Sequence, residues 1–298
     1  MSFPRSEIGT VILKIVYGYN AEKTKNDPLI EMAGDAMDKF AKAAVPGAFM
    51  VDILPFFAAL STFFLAMVVN EDAQRKAQEE IDRVTGGERL PVAADRDSLN
   101  FVDAIVKETL RWGPVAPMNL PHTSTEDDVW EGHFIPKDAI IMANICLPIG
   151  RVRQGVRRRV ALTKAFRHFT QDSSIYPEPM YFRPERFLKI VNHEPEPDPR
   201  DLVFGFGRRI CPGRLLADTA LFVNIAQTLA VFNISKPLDA DGIEVAPEVR
   251  WEPGVVSHPA PYKAEVTSRG AGYAELIRKV EGKYPWQDSD AEVLNMIY

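Results

Sequence analysis

A glycine-rich turn that ends in a single cysteine constrains this chain more than any other segment. The segment Phe204–Gly213 reads FGFGRRICPG. Gly205 and Gly207 permit a tight turn and the close approach of a flat ligand to the backbone, because neither residue carries a Cβ atom. Cys211 lies directly before a predicted helix. Pro212 suits the first turn of that helix.

The surroundings of Cys211 favour a reactive sulfur over a buried, inert one. The predicted helix start offers unpaired N–H groups and the positive end of a dipole, and Arg208 and Arg209 lie nearby. These groups favour the thiolate, which is the form that a soft metal centre accepts as an axial ligand. A buried inert thiol is the alternative for an isolated cysteine. A phosphate-binding GxGxxG motif is excluded because Ile210 stands where its last glycine would be.

Composition limits the class of protein. The 298 residues include 35 Lys and Arg against 41 Asp and Glu, a formal net charge of -6, and 46% of them are hydrophobic. This is typical of a globular chain of one or two domains, and it excludes a disordered or collagen-like chain. The acidity argues against nucleic acid as a partner. Two cysteines exclude a disulfide framework and a CxxC metal site, and they fit a reducing compartment.

The seventeen-residue apolar run Ile53–Val69 is predicted to be a buried core helix rather than a membrane span. It is at the short end of the range for a span, and Pro55 lies inside it. Acidic residues bracket the run, and no basic flank orients it. Met1–Thr10 has no basic region followed by an uninterrupted apolar stretch, which predicts that the chain has no signal peptide and is not secreted.

The remaining pattern predicts a mainly α protein with small β-sheets. Helices are expected where apolar residues recur at helical spacing, and irregular chain is expected where prolines dominate. The predicted elements are helical pieces over 5–57, a helix that Gly86-Gly87 stops, a helix from Asp95–Asp97 to Gly113 with Leu99, Val102, Ile105, Val106, Thr109 and Leu110 on one stripe, strands over Asp128–Ile135 and Ala139–Ile145, irregular chain over Tyr176–Pro212, and a last helix over Leu215–Phe232 with Leu215, Leu216, Leu221, Ile225, Leu229 and Phe232 on one face.

A strongly basic segment, Gly150–His168, differs from the rest of the chain. It contains seven Lys and Arg residues and no acid. A nucleic-acid or anionic-membrane patch is one interpretation. A solvated insertion is favoured, because no regular interleaving of aromatic residues with the charges supports base stacking and the remainder of the chain is acidic.

Three motifs together resemble the cytochrome P450 family. FGFGRRICPG is similar to the FxxGxRxCxG haem loop of that family, KETLRW to its ExxR pair, and PERF to the segment that supplies a partner arginine. The matching positions are Phe204, Gly207, Arg209, Cys211 and Gly213 in the loop, Glu108 and Arg111 in the pair, and Arg186 in PERF. The order of the motifs is that of the family, and the resemblance is strongest to fungal microsomal members.

The resemblance implies roles for individual residues. Cys211 would be the thiolate ligand of haem iron, Arg209 and His122 would contact the two haem propionates, and Phe204 would limit access of water to the sulfur. Glu108, Arg111 and Arg186 would form a buried ion network; the alternative for Glu108 and Arg111 is an exposed surface pair. The residues implied on the substrate side are Val115, Ala116, Pro117 and Met118, in the segment Val115–Leu120, together with Val255–Val256.

The resemblance also implies an activity, a haem-thiolate monooxygenase that inserts one atom of O2 into a hydrophobic small molecule. Electrons would come from NADPH through NADPH-cytochrome P450 reductase, the cofactor would be haem b, and the location would be the endoplasmic reticulum membrane or the cytoplasm. One alternative is a haem-binding remnant that reduces O2 without using it productively. Another is a non-enzymatic product of a damaged gene, whose roofless pocket would expose apolar surface and aggregate.

Several departures from the family pattern accompany these matches. No tryptophan is followed four residues later by arginine, so one propionate contact is missing. The acid–alcohol pair of the central helix is absent, and no catalytic residue is assigned. AALSTFFLAM directly follows MVDILPFF, which predicts an incomplete P450-like fold: one domain over 1–298 without the N-terminal anchor, part of the central helix or the pocket-roof helices. It would comprise a helical remnant over 1–57 and a haem-binding part over 58–298, with a family-foreign insertion over 147–166 for which a translated intron is a candidate origin.

Overall fold

The computed structural model describes residues 53–146, 169–191, 193–239, 241–252 and 254–283. This part is mainly helical, with short strands, as the composition and periodicity predict. Its helices are α1 Ile53–Val69, α2 Glu71–Thr85, α3 Asn100–Trp112, α4 Arg200–Val203, α5 Arg214–Val231 and α6 Ala271–Lys283. Its strands are β1 His122–Thr123, β2 Asp128–Trp130, β3 His133–Ile135, β4 Ile140–Ile141, β5 Phe232–Ser235, β6 Trp251–Glu252, β7 His258–Pro259 and β8 Glu265–Ser268. Four 3-10 helices accompany them: Ala93–Ser98, Phe169–Gln171, Pro184–Phe187 and Gly207–Arg209.

Helix α1 lies in the centre of the hydrophobic core. Phe63, Leu65 and Met67 are fully buried, and the helix packs against α2, α3, α5, β5 and β7. A helix that is apolar on all sides lowers its free energy by burying every side, which is what the contacts provide. The prediction of a buried core helix is confirmed.

One residue, Asn70, separates α2 from α1, and the chain bends by 105° between the two helices. The C-terminus of α2 is capped by Gly86, whose φ of 67° lies in the left-handed region that glycine tolerates. The predicted stop is therefore confirmed. Gln74 anchors α2 to β5 by donating to the carbonyl oxygen of Ile234 and accepting from its N–H, at 2.9 and 2.8 Å.

Helix α3 begins later than predicted. The acidic segment at Asp95–Asp97 lies in a 3-10 helix, and α3 starts only at Asn100. The reason is a cap from another helix: the Glu80 carboxylate accepts hydrogen bonds from the N–H groups of Phe101 and Val102 at 2.9–3.1 Å. The predicted apolar stripe from Leu99 to Leu110 is confirmed, since all its members are buried.

The strands form four separate two-stranded antiparallel sheets in the described residues: β1 with β4, β2 with β3, β5 with β8 and β6 with β7. The prediction of one strand over Asp128–Ile135 is wrong. Glu131 and Gly132 have φ angles of 49° and 79° and turn the chain into a hairpin, with Trp130 opposite His133. Two consecutive positive φ angles are what a tight hairpin turn requires. Only Ile140–Ile141 of the second predicted strand is a strand.

The helix predicted over Leu215–Phe232 is α5, and two details of that prediction are wrong. Leu215 and Leu216 are 73% and 46% exposed. They are not buried with Leu221, Ile225 and Leu229, because the first turn of α5 extends beyond the core. α5 is also not the last helix. α6 follows β8 and buries Leu276.

The proline-rich chain over Tyr176–Pro212 is ordered and mostly irregular, as predicted, with short 3-10 turns and the four-residue α4. Two predictions fall outside the described residues. These are the helical pieces before Ile53 and the basic segment Gly150–His168.

Candidate functional site

The Cys211 loop, residues 204–213, joins α4 to α5. Gly205 and Gly207 have φ angles of 82° and 58°, so both occupy the left-handed region that disfavours a side chain. The N–H group of Cys211 donates to the carbonyl oxygen of Phe204 at 2.8 Å and closes the loop. Cys211 and Phe204 are half-buried, and Phe204 packs against the core.

The position of Cys211 relative to α5 differs from the prediction. α5 begins at Arg214 with Gly213 as its N-cap, so Pro212 precedes the helix instead of forming its first turn. Pro212 and Gly213 form a turn in which the N–H group of Arg214 donates to the carbonyl oxygen of Cys211 at 3.3 Å. The cysteine is held by this turn, just outside the helix start.

Three arginine side chains surround Cys211 in sequence and remain available to an anion. The side chains of Arg208, Arg209 and Arg214 are exposed and make no hydrogen bond or ion pair with any described residue. His122 lies exposed on β1, opposite Ile141 of β4. Across the described ranges, no hydrogen bond or ion pair joins His122 to the Cys211 loop, so the structure does not bring this histidine and Arg209 into direct contact.

Glu108, Arg111 and Arg186 are brought together in the interior. The Arg111 Nε and Nη2 atoms donate to the two Glu108 carboxylate oxygens at 2.7 and 2.8 Å, and Arg186 Nε lies 3.2 Å from the same carboxylate. All three side chains are at most 1% exposed. Glu108 also accepts the N–H group of Arg183 at 2.7 Å. The surface-pair alternative is therefore excluded by geometry.

Two members of this network were not found from the sequence. The Arg186 Nη1 atom donates to Glu196 at 2.8 Å, and Arg111 lies over the Tyr176 ring at 5.6 Å. Glu196 is one of several acids in a proline-rich stretch, and no spacing separates it from its neighbours. Tyr176 is fully buried, which raises the pKa of its hydroxyl to about 12.

The segment Val115–Leu120 follows α3 and approaches the Cys211 loop. Pro117 accepts hydrogen bonds from the N–H groups of Ile145 and Cys146 at 2.9 and 3.0 Å, and Val115 accepts one from Ser257 at 2.8 Å. Ala116 and Met118 are half-buried. These backbone bonds fix the segment between the site of Cys146 and the loop that precedes β7.

Asn119 is a further site residue that the sequence did not reveal. Its φ of 54° is unusual for a residue with a side chain, and its side-chain amide lies 3.6 Å from the point where Gly205 would carry a Cβ. Val115–Leu120 and the Cys211 loop therefore meet at Gly205. An asparagine is the non-glycine residue that best tolerates this backbone conformation, which is the only signal the sequence offered.

The two cysteines have different environments. Burial raises the pKa of the Cys146 thiol to about 11, so Cys146 stays protonated at neutral pH. Cys211 instead lies in a loop with free arginines beside it. Cys211 therefore remains the predicted metal ligand of the two.

Several apolar side chains in or next to the Cys211 loop are exposed to solvent. Phe206 is 42% exposed and stacks edge-on with Phe169, and Leu215 and Leu216 follow on the first turn of α5. The Cys211 loop and its surroundings thus provide one sulfur, two glycines without side chains, exposed apolar surface, and arginine side chains that have no partner among the described residues. These residues fit a flat, apolar, metal-containing group with anionic substituents, and haem has that chemistry.

Comparison with known protein families supports this assignment of the loop. The family model described as Cytochrome P450 matches residues 57–148 and 166–266. The matched ranges contain all three motifs and omit 149–165, most of the basic segment.

The relatives are fungal oxidoreductases. Cytochrome P450 monooxygenase claR of Ampulloclitocybe clavipes is 46% identical over 237 residues, 80% of this chain and 40% of that protein. O-methylsterigmatocystin oxidoreductase of Aspergillus flavus is 42% identical over 78% of this chain and 39% of that protein. The chain spans about two fifths of the length of these two relatives. Cytochrome P450 monooxygenase ppsD of Aspergillus oryzae is 32% identical over 380 aligned residues, 99% of this chain and 68% of that protein.

The length of the ppsD alignment exceeds the 298 residues of this chain. That relative therefore contains internal stretches without a counterpart here.

The fold is also shared with solved structures. A zebra fish cytochrome P450, determined with progesterone, has a TM-score of 0.57 and 25% identity, and the match covers 79% of this chain and 50% of that one. The described residues therefore represent about half of such a fold. With the family match, the relatives and the geometry of the Cys211 loop in agreement, this chain belongs to the cytochrome P450 family.

Proposed function

We propose that the chain is a haem-thiolate monooxygenase that converts a hydrophobic substrate RH, O2, NADPH and a proton into ROH, water and NADP+. Members of its family bind haem and act on small molecules with O2 and a redox partner. The observation that carries the proposal is that the helix with the buried Glu108 network packs against the helices on both sides of the Cys211 loop, since a ligand loop needs a rigid support.

Cys211 would hold the iron of haem b through its thiolate. When bound, haem supplies the chemistry that activates O2, which amino-acid side chains cannot supply. Gly205 and Gly207 leave room for a flat group near the backbone. Gly213 closes the turn that directs Cys211, and half-buried Phe204 limits the access of water to its sulfur.

Arg209 and His122 would bind the two propionates of haem. Both side chains are exposed. The guanidinium of Arg209 has no competing partner among the described residues, and it can donate two parallel hydrogen bonds to a carboxylate. His122 would donate one.

Glu108, Arg111 and Arg186 would hold the Cys211 side of the molecule in place. α3 carries Glu108 and Arg111 and packs against α4, α5 and the 3-10 helix that contains Arg186. Each side chain in the network has its charge neutralised and its hydrogen bonds satisfied, so the network resists rearrangement.

Val115, Ala116, Pro117 and Met118 would line the substrate side. Their apolar character, and the closeness of Asn119 to Gly205 of the Cys211 loop, support a hydrophobic small molecule as the substrate. These apolar residues offer no charged surface for nucleic acid, and we do not propose nucleic acid as a partner.

NADPH-cytochrome P450 reductase would deliver the electrons, and the location would be the endoplasmic reticulum membrane or the adjoining cytoplasm. Fungal members of the family are typically associated with that membrane. In the part of the chain that the structure describes, α5 is long and apolar enough to cross a membrane, and α1 with α2 passes the same test as a bent pair. Both α1 and α5 bury residues in the core, so these helices give only weak support for a span.

Reduction of O2 without substrate oxidation is the second candidate, and one observation favours it. α1 carries no acidic residue, and the hydroxyl of its buried Thr62 donates to the carbonyl oxygen of Ala58 at 3.0 Å. That hydroxyl is thus engaged within its own helix. A protein that binds haem but lacks a proton relay would release peroxide.

The ratio of product to NADPH separates the two candidates. The haem-loaded chain would be mixed with a fungal NADPH-cytochrome P450 reductase and a panel of hydrophobic small molecules, with Cys211→Ser as the control. A monooxygenase gives ROH in a ratio to consumed NADPH near one for some panel member, and the control gives none. Peroxide equal to the NADPH consumed for every member would support the second candidate and contradict the first.

A further inference from the structure

An ion cluster separate from the Glu108 network joins the two ends of the Cys211 loop. Arg200 lies at the start of α4, before the loop, and Asp218 lies in α5, after it. The Arg200 Nη1 atom is 3.3 Å from Asp218 Oδ1. The two flanks of the loop are therefore tied directly to each other.

Arg96 lies at the centre of this cluster. Its Nη1 and Nη2 atoms donate to the two carboxylate oxygens of Asp218 at 2.5 and 3.0 Å. Its Nε and Nη2 atoms donate to Asp103 Oδ1 on α3 at 2.8 and 2.5 Å. One guanidinium thus connects α5 to the helix that carries Glu108.

Packing fixes the orientation of the Arg96 guanidinium. Its central carbon lies 4.9 Å from the centre of the Phe222 ring, and Phe222 is fully buried on α5. The side chains of Arg96, Asp103 and Asp218 are 22%, 17% and 15% exposed. Ion pairs at this depth are weakly screened by salt, and a stacked, forked guanidinium cannot be replaced by the single ammonium of lysine.

The other cations around Arg96 can replace it only in part. Asp103 also faces Lys107 Nζ at 3.0 Å and Arg200 Nη1 at 3.5 Å. Asp218 has only Arg200 besides Arg96 among the described residues. Without Arg96, Asp218 keeps one longer contact, and α5 stays linked to α3 only through Arg200, whose Nη1 atom lies 3.3 Å from Asp218 and 3.5 Å from Asp103.

We infer that Arg96 is a positioning residue for Cys211. It clamps the α5 side of the Cys211 loop to α3 and, through Arg200 and Asp218, fixes the α4 side to the same point. The sulfur is thereby held at one place, although Arg96 does not touch it. The inference rests on the proposed function for its purpose, because a fixed sulfur matters when it is a ligand.

The test uses the chain without added haem, so that its outcome is independent of activity. In a Cys146→Ala background, Cys211 is the only thiol, since the chain has two cysteines. The rate of its reaction with a disulfide reagent and the hydrogen exchange of 204–214 would be measured for Arg96→Gln, Arg96→Lys and Asp218→Asn. Arg89→Gln is the matched control, because Arg89 precedes the same 3-10 helix and pairs with Asp95 at the surface.

We expect Arg96→Gln and Asp218→Asn to raise the thiol rate and loop exchange about fivefold or more, with exchange in α1 unchanged. Arg96→Lys should lie between Arg96→Gln and the parent. The double variant Arg96→Gln/Asp218→Asn should show less than the sum of the two single effects, because the two residues share one contact. Arg89→Gln should resemble the parent.

Two results would overturn the inference. One is an Arg96→Gln variant whose thiol rate and loop hydrogen exchange equal those of the parent. The other is an equal rise in exchange in the loop and in α1, which would mark Arg96 as a stabilising residue without a particular link to Cys211. The proposed function fails separately, if Cys211→Ser leaves the spectrum of the haem-loaded protein unchanged while the loop still responds to Arg96.

Discussion

The helical frame and the strand side of the molecule bury their side chains to very different extents. In the frame, formed by α1, α2, α3 and α5, most apolar residues beyond the first turn of α5 are buried, and even charged Arg111 has no exposed surface. On the strand side, formed by β1 to β4, Trp130, Phe134 and Ile140 are 63–71% exposed. The described residues are therefore packed more tightly around the helices that support the proposed metal ligand than around the side where a substrate would be enclosed.

Removal of Glu108 should give the largest effect, because it breaks the frame at its most buried charge. Glu108→Ala leaves Arg111 and Arg186 buried without their carboxylate, and we expect a loss of about 3–5 kcal/mol in the free energy of unfolding. Urea denaturation followed by circular dichroism measures it. The matched control Glu79→Ala removes an exposed partner of Arg75 on α2 and should change nothing measurable. A Glu108→Ala midpoint within error of the parent would contradict the buried network.

Gly113 tests the packing at the boundary of the frame, where α3 ends. A Cβ on this residue would lie 2.6 Å from Trp251 Nε1 and 2.7 Å from Thr62 Cγ2, so one of these side chains or the backbone must shift to admit it. Gly113→Ala should therefore cost about 1–3 kcal/mol of unfolding free energy. Gly272→Ala is the control, since nothing lies within 4 Å of its added Cβ and a helical alanine stabilises by about 0.5–1 kcal/mol. Equal effects of the two variants would show that the boundary is loosely packed.

Cys146 tests whether water is excluded from the interior where the frame meets the strand side. Its pKa is raised by burial from 9.0 to about 11, so the neutral thiol contributes stability that is fully present below pH 9 and lost as the pH rises towards 11. The parent should lose on the order of 1–2 kcal/mol more than Cys146→Ala between pH 8.5 and 11. Denaturation at several pH values measures the difference. Parallel losses in the two proteins would show that water reaches the thiol.

The smallest effect is expected on the strand side itself. Trp130→Ser and Phe134→Ser replace exposed side chains in the β2–β3 hairpin, so the free energy of unfolding should change by less than about 0.5 kcal/mol. Self-association should fall, because less apolar surface meets water. Sedimentation velocity measures it, with Phe63→Ser in the core as the destabilised contrast. If the parent protein is monomeric, this contradicts the alternative of a damaged-gene product, whose pocket would be open and would cause aggregation.

The sequence predicted most of the frame and the loop, because periodicity and motif spacing are local. The α1 core helix, the Gly86 stop and the stripe on α3 all follow from such patterns. Contacts between distant segments were not predictable. Glu80 delays the start of α3, Asn119 meets Gly205, and Arg96 joins Asp218 only after the chain has folded. The exposed position of Leu215 and Leu216 was missed because periodicity does not show where a helix leaves the core.

The central claim, that Cys211 is the metal ligand of this chain, is tested most directly by absorption spectroscopy. The haem-supplemented protein would be reduced and exposed to carbon monoxide, with Cys211→Ser and the matched variant Cys146→Ser beside it. The account predicts a strongly red-shifted Soret band in the parent and in Cys146→Ser and its disappearance in Cys211→Ser. A band unaffected by Cys211→Ser, or no haem uptake by the folded parent, would contradict the claim.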